Sequence, residues 1–255
     1  MSEAAASTST HRAAAGTDRK VIWHDLECGS YAADLPFWQT LAARQGSPVL
    51  ELGAGTGRVT LDLVRRGHRV VAIDRDPRLL EVLRRRAGDF EIETVVADAR
   101  TFELEVRFAL CLVPMQMVQL LGGAAGRAAM LTSVARHLKP GGMLAIAISA
   151  DLEGWSAGDG GAAPLPDSCE RDGTVYFSQP TAVYSDREGH VLERRRETVS
   201  LAGVRTVELD RIRLDHLRAR QLEQEGAACG LAHAGRATIP ATSDYASSQV
   251  VMFSA

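Results

Sequence analysis

Residues 49–74 read VLELGAGTGRVTLDLVRRGHRVVAID. Val49 to Leu52 form a short apolar run, set off from the preceding chain by Ser47-Pro48, and read as a strand. Three glycines follow at alternate positions, Gly53, Gly55 and Gly57. Without a Cβ they let the backbone turn sharply and let a ligand approach it closely. Arg58 to Arg66 then suits a helix ended by Gly67, and Arg69 to Ile73 a second buried strand closed by Asp74. A strand, a glycine turn, a helix and a parallel strand make one unit of an α/β sheet.

The same alternation continues downstream. Asp76-Pro77 opens a helix with an N-cap carboxylate and a proline in the first turn. Ile92 to Ala97 and Phe108 to Val113 read as strands and Arg127 to Leu138 as a helix. Lys139-Pro140-Gly141-Gly142 reads as a turn, and Met143 to Ile148 as a fifth strand. Strands alternating with helices of this length imply right-handed crossovers and a parallel sheet covered on both faces. The fold class expected is therefore α/β: a Rossmann-like, seven-stranded, mostly parallel sheet carrying an antiparallel β insertion. The boundaries expected are a disordered tail over 1–19, N-terminal lid helices over 20–46 and the ligand-binding core over 47–150. An antiparallel substrate cap follows over 151–213, and a helix with the last two core strands over 214–255. Within the cap, residues 151–170 read as a loop. Val175 to Phe177, Thr181 to Tyr184, Val191 to Val199 and Thr206 to Leu214 read as strands.

Ligands of open α/β sheets bind at the carboxyl ends of the strands, where the glycine turn, Asp74 and Asp98 converge. Asp74 lies twenty-one residues after Gly53, the spacing at which a carboxylate can accept both hydroxyls of a ribose. A dinucleotide fingerprint requires G-x-G-x-x-G, and Arg58 stands where its third glycine belongs. The glycine turn with Glu51 two positions upstream, followed by VVADAR (95–100) and HLKPGG (137–142), resembles the class I methyltransferases that use S-adenosylmethionine (SAM), of the small-molecule type.

That resemblance implies SAM as cofactor, S-adenosylhomocysteine as product, and a role for each matching residue. Gly53, Ala54, Gly55 and Gly57 would line the methionine portion, and Glu51 would orient the loop or reach the cofactor through water. Asp74 would hold the ribose, with Arg75 stacked beside the adenine through its guanidinium plane. Asp98 would accept the adenine amino group, with Ala99 supplying backbone contacts. Val113 and Pro114 would border the transferred methyl. Tyr31, in a segment resembling a lid helix, would reach the methionine end. The family often has an apolar residue after the ribose carboxylate, so Arg75 is a departure.

Methyl transfer from a sulfonium is an in-line displacement that depends chiefly on alignment and exclusion of water. No general base is assigned; His24, His190, His216 and His233 all remain open, and the catalytic residue is unknown from sequence. The segment after the fourth strand reads Val113-Pro114-Met115-Gln116, without the Asp/Asn-Pro-Pro-aromatic run of base amino-methyltransferases or the Pro-Cys of cytosine C5 enzymes. Ala109 to Leu121 contains no carboxylate, and no metal is expected. Trp23, Trp38, Met115, Gln116, Gln119 and Trp155 are the acceptor candidates, with Phe37, Tyr176 and Phe177 completing an apolar pocket.

Composition narrows the partners. The 255 residues carry a net charge of -3 with 45% hydrophobic content, so no basic surplus favours nucleic acid or an anionic membrane. Cys28, Cys111, Cys169 and Cys229 are widely spaced, which fits reduced thiols and a cytoplasmic location. No apolar run has membrane-spanning length. A small-molecule acceptor is expected, and a homodimer through the insertion's sheet edge is a further use of that segment. Two other readings stand beside the transferase: a nicotinamide-dependent oxidoreductase, and a SAM-binding module without chemistry.

Overall fold

The computed structural model describes residues 18–90, 92–149, 152, 154–157, 164–243 and 245–255. Most of the expected tail, 1–17, lies outside the described residues, as do parts of the 151–163 segment. The first helix already begins at Arg19. Its N-cap is Asp18, whose carboxylate accepts the Lys20 N–H at 2.8 Å.

Seven strands form the central sheet. In chain order they are β1 (Val49–Leu52), β2 (Val70–Asp74), β3 (Glu93–Val96), β4 (Phe108–Val113), β5 (Leu138–Ile148), β11 (Ala232–Ile239) and β12 (Ser248–Ser254). Their spatial order is β11-β12-β5-β4-β1-β2-β3. β1 to β5 pair in parallel, and β12 runs antiparallel to both β5 and β11. The order reverses between β1 and β4, which opens a crevice at the carboxyl ends just beyond the glycine turn.

Helices cover both faces because the strands are apolar on both. Leu50, Leu52, Phe108, Cys111 and Val113 point toward α5 (Gly123–His137) and α6 (Ala219–Ala228), meeting Met130, Leu131, Val134 and Leu222. Val49, Leu110 and Leu112 point the other way, toward α2 (Leu35–Gln45) and α3 (Arg58–Arg65), and meet Trp38, Leu41, Val59 and Leu63. α4 (Pro77–Ala87) closes the flank through Leu80 and Leu83. Among the described residues no helix is long and apolar enough to cross a membrane.

Several local expectations are corrected. The N-terminal helical stretch is two helices, α1 (Arg19–Cys28) and α2, with Tyr31 between them. Lys139 to Gly142 do not leave the sheet: β5 starts at Leu138. Gly141, at φ 73°, takes up the irregularity while Gly141 and Gly142 bond back to Ala255. The segment 151–170 contains β6 (Trp155–Ser156) and most of β7 (Asp167–Arg171) rather than loop alone. The two short runs 175–177 and 181–184 are one strand, β8 (Thr174–Ser185), bulged at Pro180/Ala182. Helix α6 starts five residues later than read, because β10 (Arg205–Asp215) runs on to Asp215 beside β9 (Gly189–Val199).

The insertion is thus a second sheet, ordered β10-β9-β8-β6 with β7 on β8. Two buried ionic clusters dock it. At one, Glu27 of α1 accepts two 2.7 Å bonds from Arg196 of β9 and one of 2.8 Å from Ser178 of β8. At the other, Arg127 of α5, 2% exposed, forks onto Glu225 of α6 and bonds Asp215 at the end of β10.

Candidate active site

The glycine turn is held open from both sides. Gly53, Gly55 and Gly57 all have positive φ, at 72°, 56° and 94°, which L side chains adopt only under strain. A Cβ on Gly57 would lie 2.2 Å from Leu83, so that glycine lets α4 pack under the turn. A Cβ on Gly53 would meet Met117, in the short 3-10 turn Met117–Leu120, and one on Gly55 would meet the His24 ring. The buried Ala54 and its neighbour Gly53 both donate their N–H to the Ile73 carbonyl, at 3.0 and 2.9 Å, tying the turn to the end of β2.

Asp74 sits at that end. One of its carboxylate oxygens accepts the Gly55 N–H and the other the Asp76 N–H, each at 2.9 Å. Each oxygen keeps a further acceptor site, so the carboxylate is oriented without being used up. Arg75 is exposed and lines a hollow of about 420 Å³ with Lys20, Asp76, Pro77 and Arg78. Asp98 follows β3 and is held by Arg100, which donates through both its backbone and its guanidinium. These bonds hold the Asp98 carboxyl down at about 2. Ala99 beside it is half-buried against the main core.

Glu51 is buried on β1, 2% exposed, and accepts a hydrogen bond from the Thr60 hydroxyl of α3. Burial pushes its carboxyl up to about 7. It thereby links β1 to the helix that follows the turn. Arg58, at the first position of α3, makes a two-pronged pair with Asp34, whose other bond comes from the Trp38 ring N–H at 2.8 Å. Arg58 also donates to the Tyr31 carbonyl at 2.7 Å, with its guanidinium 5.1 Å from the Tyr31 ring centre.

Sequence reasoning singled out the glycines and carboxylates but gave no special place to His24. α1 lays His24 against Gly55, with Thr56 3.4 Å from its Nδ1, while Asp25 accepts from Thr56 at 2.7 Å and from Arg86. Burial lowers the His24 pKa, so the ring stands neutral over the loop. Only the pairing of α1 with the glycine turn reveals this, and no short motif encodes it.

Val113 and Pro114 are buried at the end of β4, and Met115 follows with φ 55°, a strained value for a non-glycine residue. Gln116 donates to the Ser149 hydroxyl at 2.8 Å. The expected aromatic acceptor pocket does not assemble. Trp38 is 0% exposed and belongs to the α2 core, and Phe37 packs on it. Trp23 is buried edge-on to Tyr176 under Arg196, whereas Phe177 points to the opposite face of the cap. Trp155 lies on β6, at the other edge of the cap from β10. Gln119 is 0% exposed and spent: its amide bonds both backbone groups of Ser149 and the Asp215 carbonyl. It fastens the cap to β5, and is corrected here from acceptor contact to structural tie.

Residues 49–142 match a family model described as a methyltransferase domain. The chain is 35% identical over 97 residues to the cypemycin N-terminal methyltransferase of a Streptomyces species, covering 38% of this chain and 40% of that protein. A shorter stretch of 58 residues is 53% identical to ribosomal RNA small subunit methyltransferase A of Anaeromyxobacter dehalogenans, covering 23% and 20%. The chain thus spans less than half the length of these curated relatives. The sugar N-methyltransferase KedS8 from a Streptoalloteichus species superposes with a TM-score of 0.70 at 18% identity, over 100% of this chain and 99% of that one. That likeness extends the fold beyond the methyltransferase domain to the cap and the N-terminal helices. Among the described residues no group of three His, Cys, Asp or Glu side chains is placed to hold a metal ion.

Proposed function

We propose that this protein is a SAM-dependent methyltransferase acting on a small organic acceptor, and that the acceptor atom is nitrogen. The observation that carries the reading is Asp74, oriented by the glycine turn's own backbone at the carboxyl end of β2. A carboxylate so placed suits a ribose, and the open turn beside it suits the methionine part of SAM. SAM supplies an electrophilic methyl on a positively charged sulfur. The chain's part is to bind, orient and exclude water. Asp74 takes the ribose hydroxyls, and Arg75 with the Asp98–Arg100 pair flanks the adenine. Gly53, Ala54 and Gly55 border the methionine, with the neutral His24 and Thr56 above them.

Nitrogen is favoured because, among the described residues, the groups at the ends of β4 and β5 include no base. Gln116, Gln119 and Ser149, at the ends of β4 and β5, are hydrogen-bonded to one another. An oxygen acceptor must lose a proton as it reacts, whereas an amine brings its own lone pair. Of the similar proteins, one is named a cypemycin N-terminal methyltransferase and another a sugar N-methyltransferase. A basic groove for RNA has no support in a net charge of -3, so the ribosomal relative's substrate is not carried over.

The test is methyl transfer from radiolabelled SAM to a panel of amine and hydroxyl compounds, with S-adenosylhomocysteine release as the second readout. Label in an amine product, matched one-to-one by S-adenosylhomocysteine release, is expected. SAM binding without any turnover across the panel would instead favour a binding module.

A further inference from the structure

The two ionic clusters that dock the cap leave the sheet face between them open. Residues paired directly across an antiparallel sheet share a face. Ser178 and Arg196, opposite one another on β8 and β9, therefore both lie on the face turned toward α1, where Glu27 bonds each. Arg194, two residues along β9, lies on the same face, with Pro180 opposite on β8 and Asp210 opposite on β10. The next row is Val183, Leu192 and Ile212. Ser178 at one end is 0% exposed and Leu214 at the other 3%, whereas Pro180, Val183, Leu192, Arg194 and Ile212 are all half-buried. Sealed at both ends and open in the middle, this stretch walls a cleft whose lining is aliphatic rather than aromatic.

Arg194 and Arg196 differ in what they hold. Arg196 is fully engaged, with two 2.7 Å bonds to Glu27 and an ion pair of 2.8 Å to Asp210. The Arg194 guanidinium, 17% exposed, makes one hydrogen bond among the described residues, 3.1 Å to the Ser178 hydroxyl. The carboxylate it faces, Asp167 of β7, stands off at 3.8 Å. A guanidinium offers five N–H donors in a planar fork that matches a carboxylate with two parallel bonds. Most of that capacity in Arg194 is unspent, and Asp167 marks the direction from which a carboxylate approaches. A singly charged group suits the place better than a phosphate dianion, because Glu27, Asp167 and Asp210 already outnumber the two arginines.

The cleft adjoins the cofactor turn. His24 and Cys28 lie one helical turn apart on one face of α1. His24 stands over Gly55, and Cys28 is within electrostatic reach of both Arg194 and Arg58. At the far end Met117 faces Gly53, and Gln119 of the same 3-10 turn bonds the end of β10.

We propose that the cleft between the two cap docks is the acceptor site and that Arg194 selects an acceptor bearing a carboxylate, whose apolar part lies on Val183, Leu192 and Ile212 and whose amine points to the glycine turn. The inference rests on the methyltransferase reading above and names its substrate class: an amino acid or longer amino carboxylate with an apolar body. In the reaction the nitrogen lone pair forms the new N–C bond and the C–S bond of the methyl sulfonium breaks. Sulfur keeps that electron pair, and the methylated nitrogen releases its proton to water. Arg194 holds the acceptor away from the reacting atoms, so it sets specificity and takes no part in the displacement.

The full chain, saturated with S-adenosylhomocysteine, is titrated by calorimetry with phenylalanine and 6-aminohexanoate, and with phenethylamine and pentylamine as the same amines without the carboxylate. Labelled transfer from SAM to the same four compounds gives KM and kcat. At least one carboxylate probe is expected to bind about tenfold or more tighter than its counterpart. Arg194→Gln is expected to raise KM for that probe about ten- to hundredfold, with kcat, SAM affinity and thermal midpoint little changed, and Arg194→Lys to restore part of the loss. Asp167→Asn leaves Arg194 in place and removes a competing carboxylate, so it is expected to tighten carboxylate binding; it decides the matter if Arg194→Gln does not fold. The proposal is overturned if neither carboxylate probe binds tighter than its counterpart, if folded Arg194→Gln keeps the wild-type preference, or if Asp167→Asn weakens carboxylate binding. Failure of the wild type to bind SAM and S-adenosylhomocysteine would instead contradict the underlying function.

Discussion

Single residues at this site carry conflicting demands, and Glu51 is the clearest case. Its carboxyl is raised to about 7 in the folded chain by burial, against an unfolded value near 4.5. Between those values the native state binds more protons than the unfolded one. Stability from this group is therefore complete below about pH 4.5 and falls as pH rises through 7, by up to roughly 3 kcal/mol. Glu51→Gln keeps an acceptor for Thr60 and removes the charge, so urea unfolding at pH 8 should show it more stable than wild type. An equal pH dependence in both would refute the assignment. His24 works in the opposite sense: its lowered pKa favours the folded state above the unfolded value of 6.5, and that contribution is lost as pH falls below it. Asp74→Ala removes the proposed ribose acceptor and the partner of two backbone N–H groups. Titration calorimetry should show SAM affinity reduced at least tenfold, about 1.4 kcal/mol, and unchanged affinity would remove Asp74 from the site. Tyr31→Phe deletes an unpaired hydroxyl, and its expected gain in stability is about 1 kcal/mol.

At the scale of elements, the docking of α1 and α2 is what converts a generic sheet into a covered site. Asp34 is 1% exposed and answers Arg58, itself 12% exposed. Asp34→Ala leaves a buried guanidinium without its partner and should cost roughly 3–5 kcal/mol in denaturant unfolding, whereas a change below 1 kcal/mol would mean the pair is peripheral. Gly57→Ala should also destabilise, by roughly 2 kcal/mol, because φ 94° and the contact with Leu83 both oppose a methyl. These elements also mark how far the sequence could be read. β1, β2, α3 and β4 were legible because each is a short apolar run or periodic stretch bounded by glycine, proline or a capping carboxylate. The cap strand β8 was split in two because Pro180 punctuates it, and only pairing with β9 absorbs that proline as a bulge. Trp38 and Gln119 were misplaced for a related reason. Which face a large aromatic or an amide turns inward depends on the partner element, and neither α2's packing nor the Gln119–Ser149 tie is written in local spacing. Tyr245, whose ring centre lies 4.7 Å from that of Tyr31, escaped notice because only the β11–β12 hairpin brings the two together.

For the molecule as a whole, α2 shares an apolar core with the central sheet, and the cap is fastened in addition by charge clusters. Glu27 with Arg196, and Arg127 with Asp215 and Glu225, hold the cap at two separate points. A bound ligand that touches both the glycine turn and α1 should therefore stabilise the assembly as a unit. At 100 times its dissociation constant such a ligand adds about 2.7 kcal/mol, which moves the thermal midpoint by roughly 2–4 °C per kcal/mol at this size. The most direct measurement is a calorimetric titration of the whole chain with SAM, S-adenosylhomocysteine, NAD and NADP in turn. Saturable one-to-one binding of SAM and S-adenosylhomocysteine alone is the predicted result; binding of a nicotinamide dinucleotide with none of SAM would contradict the account.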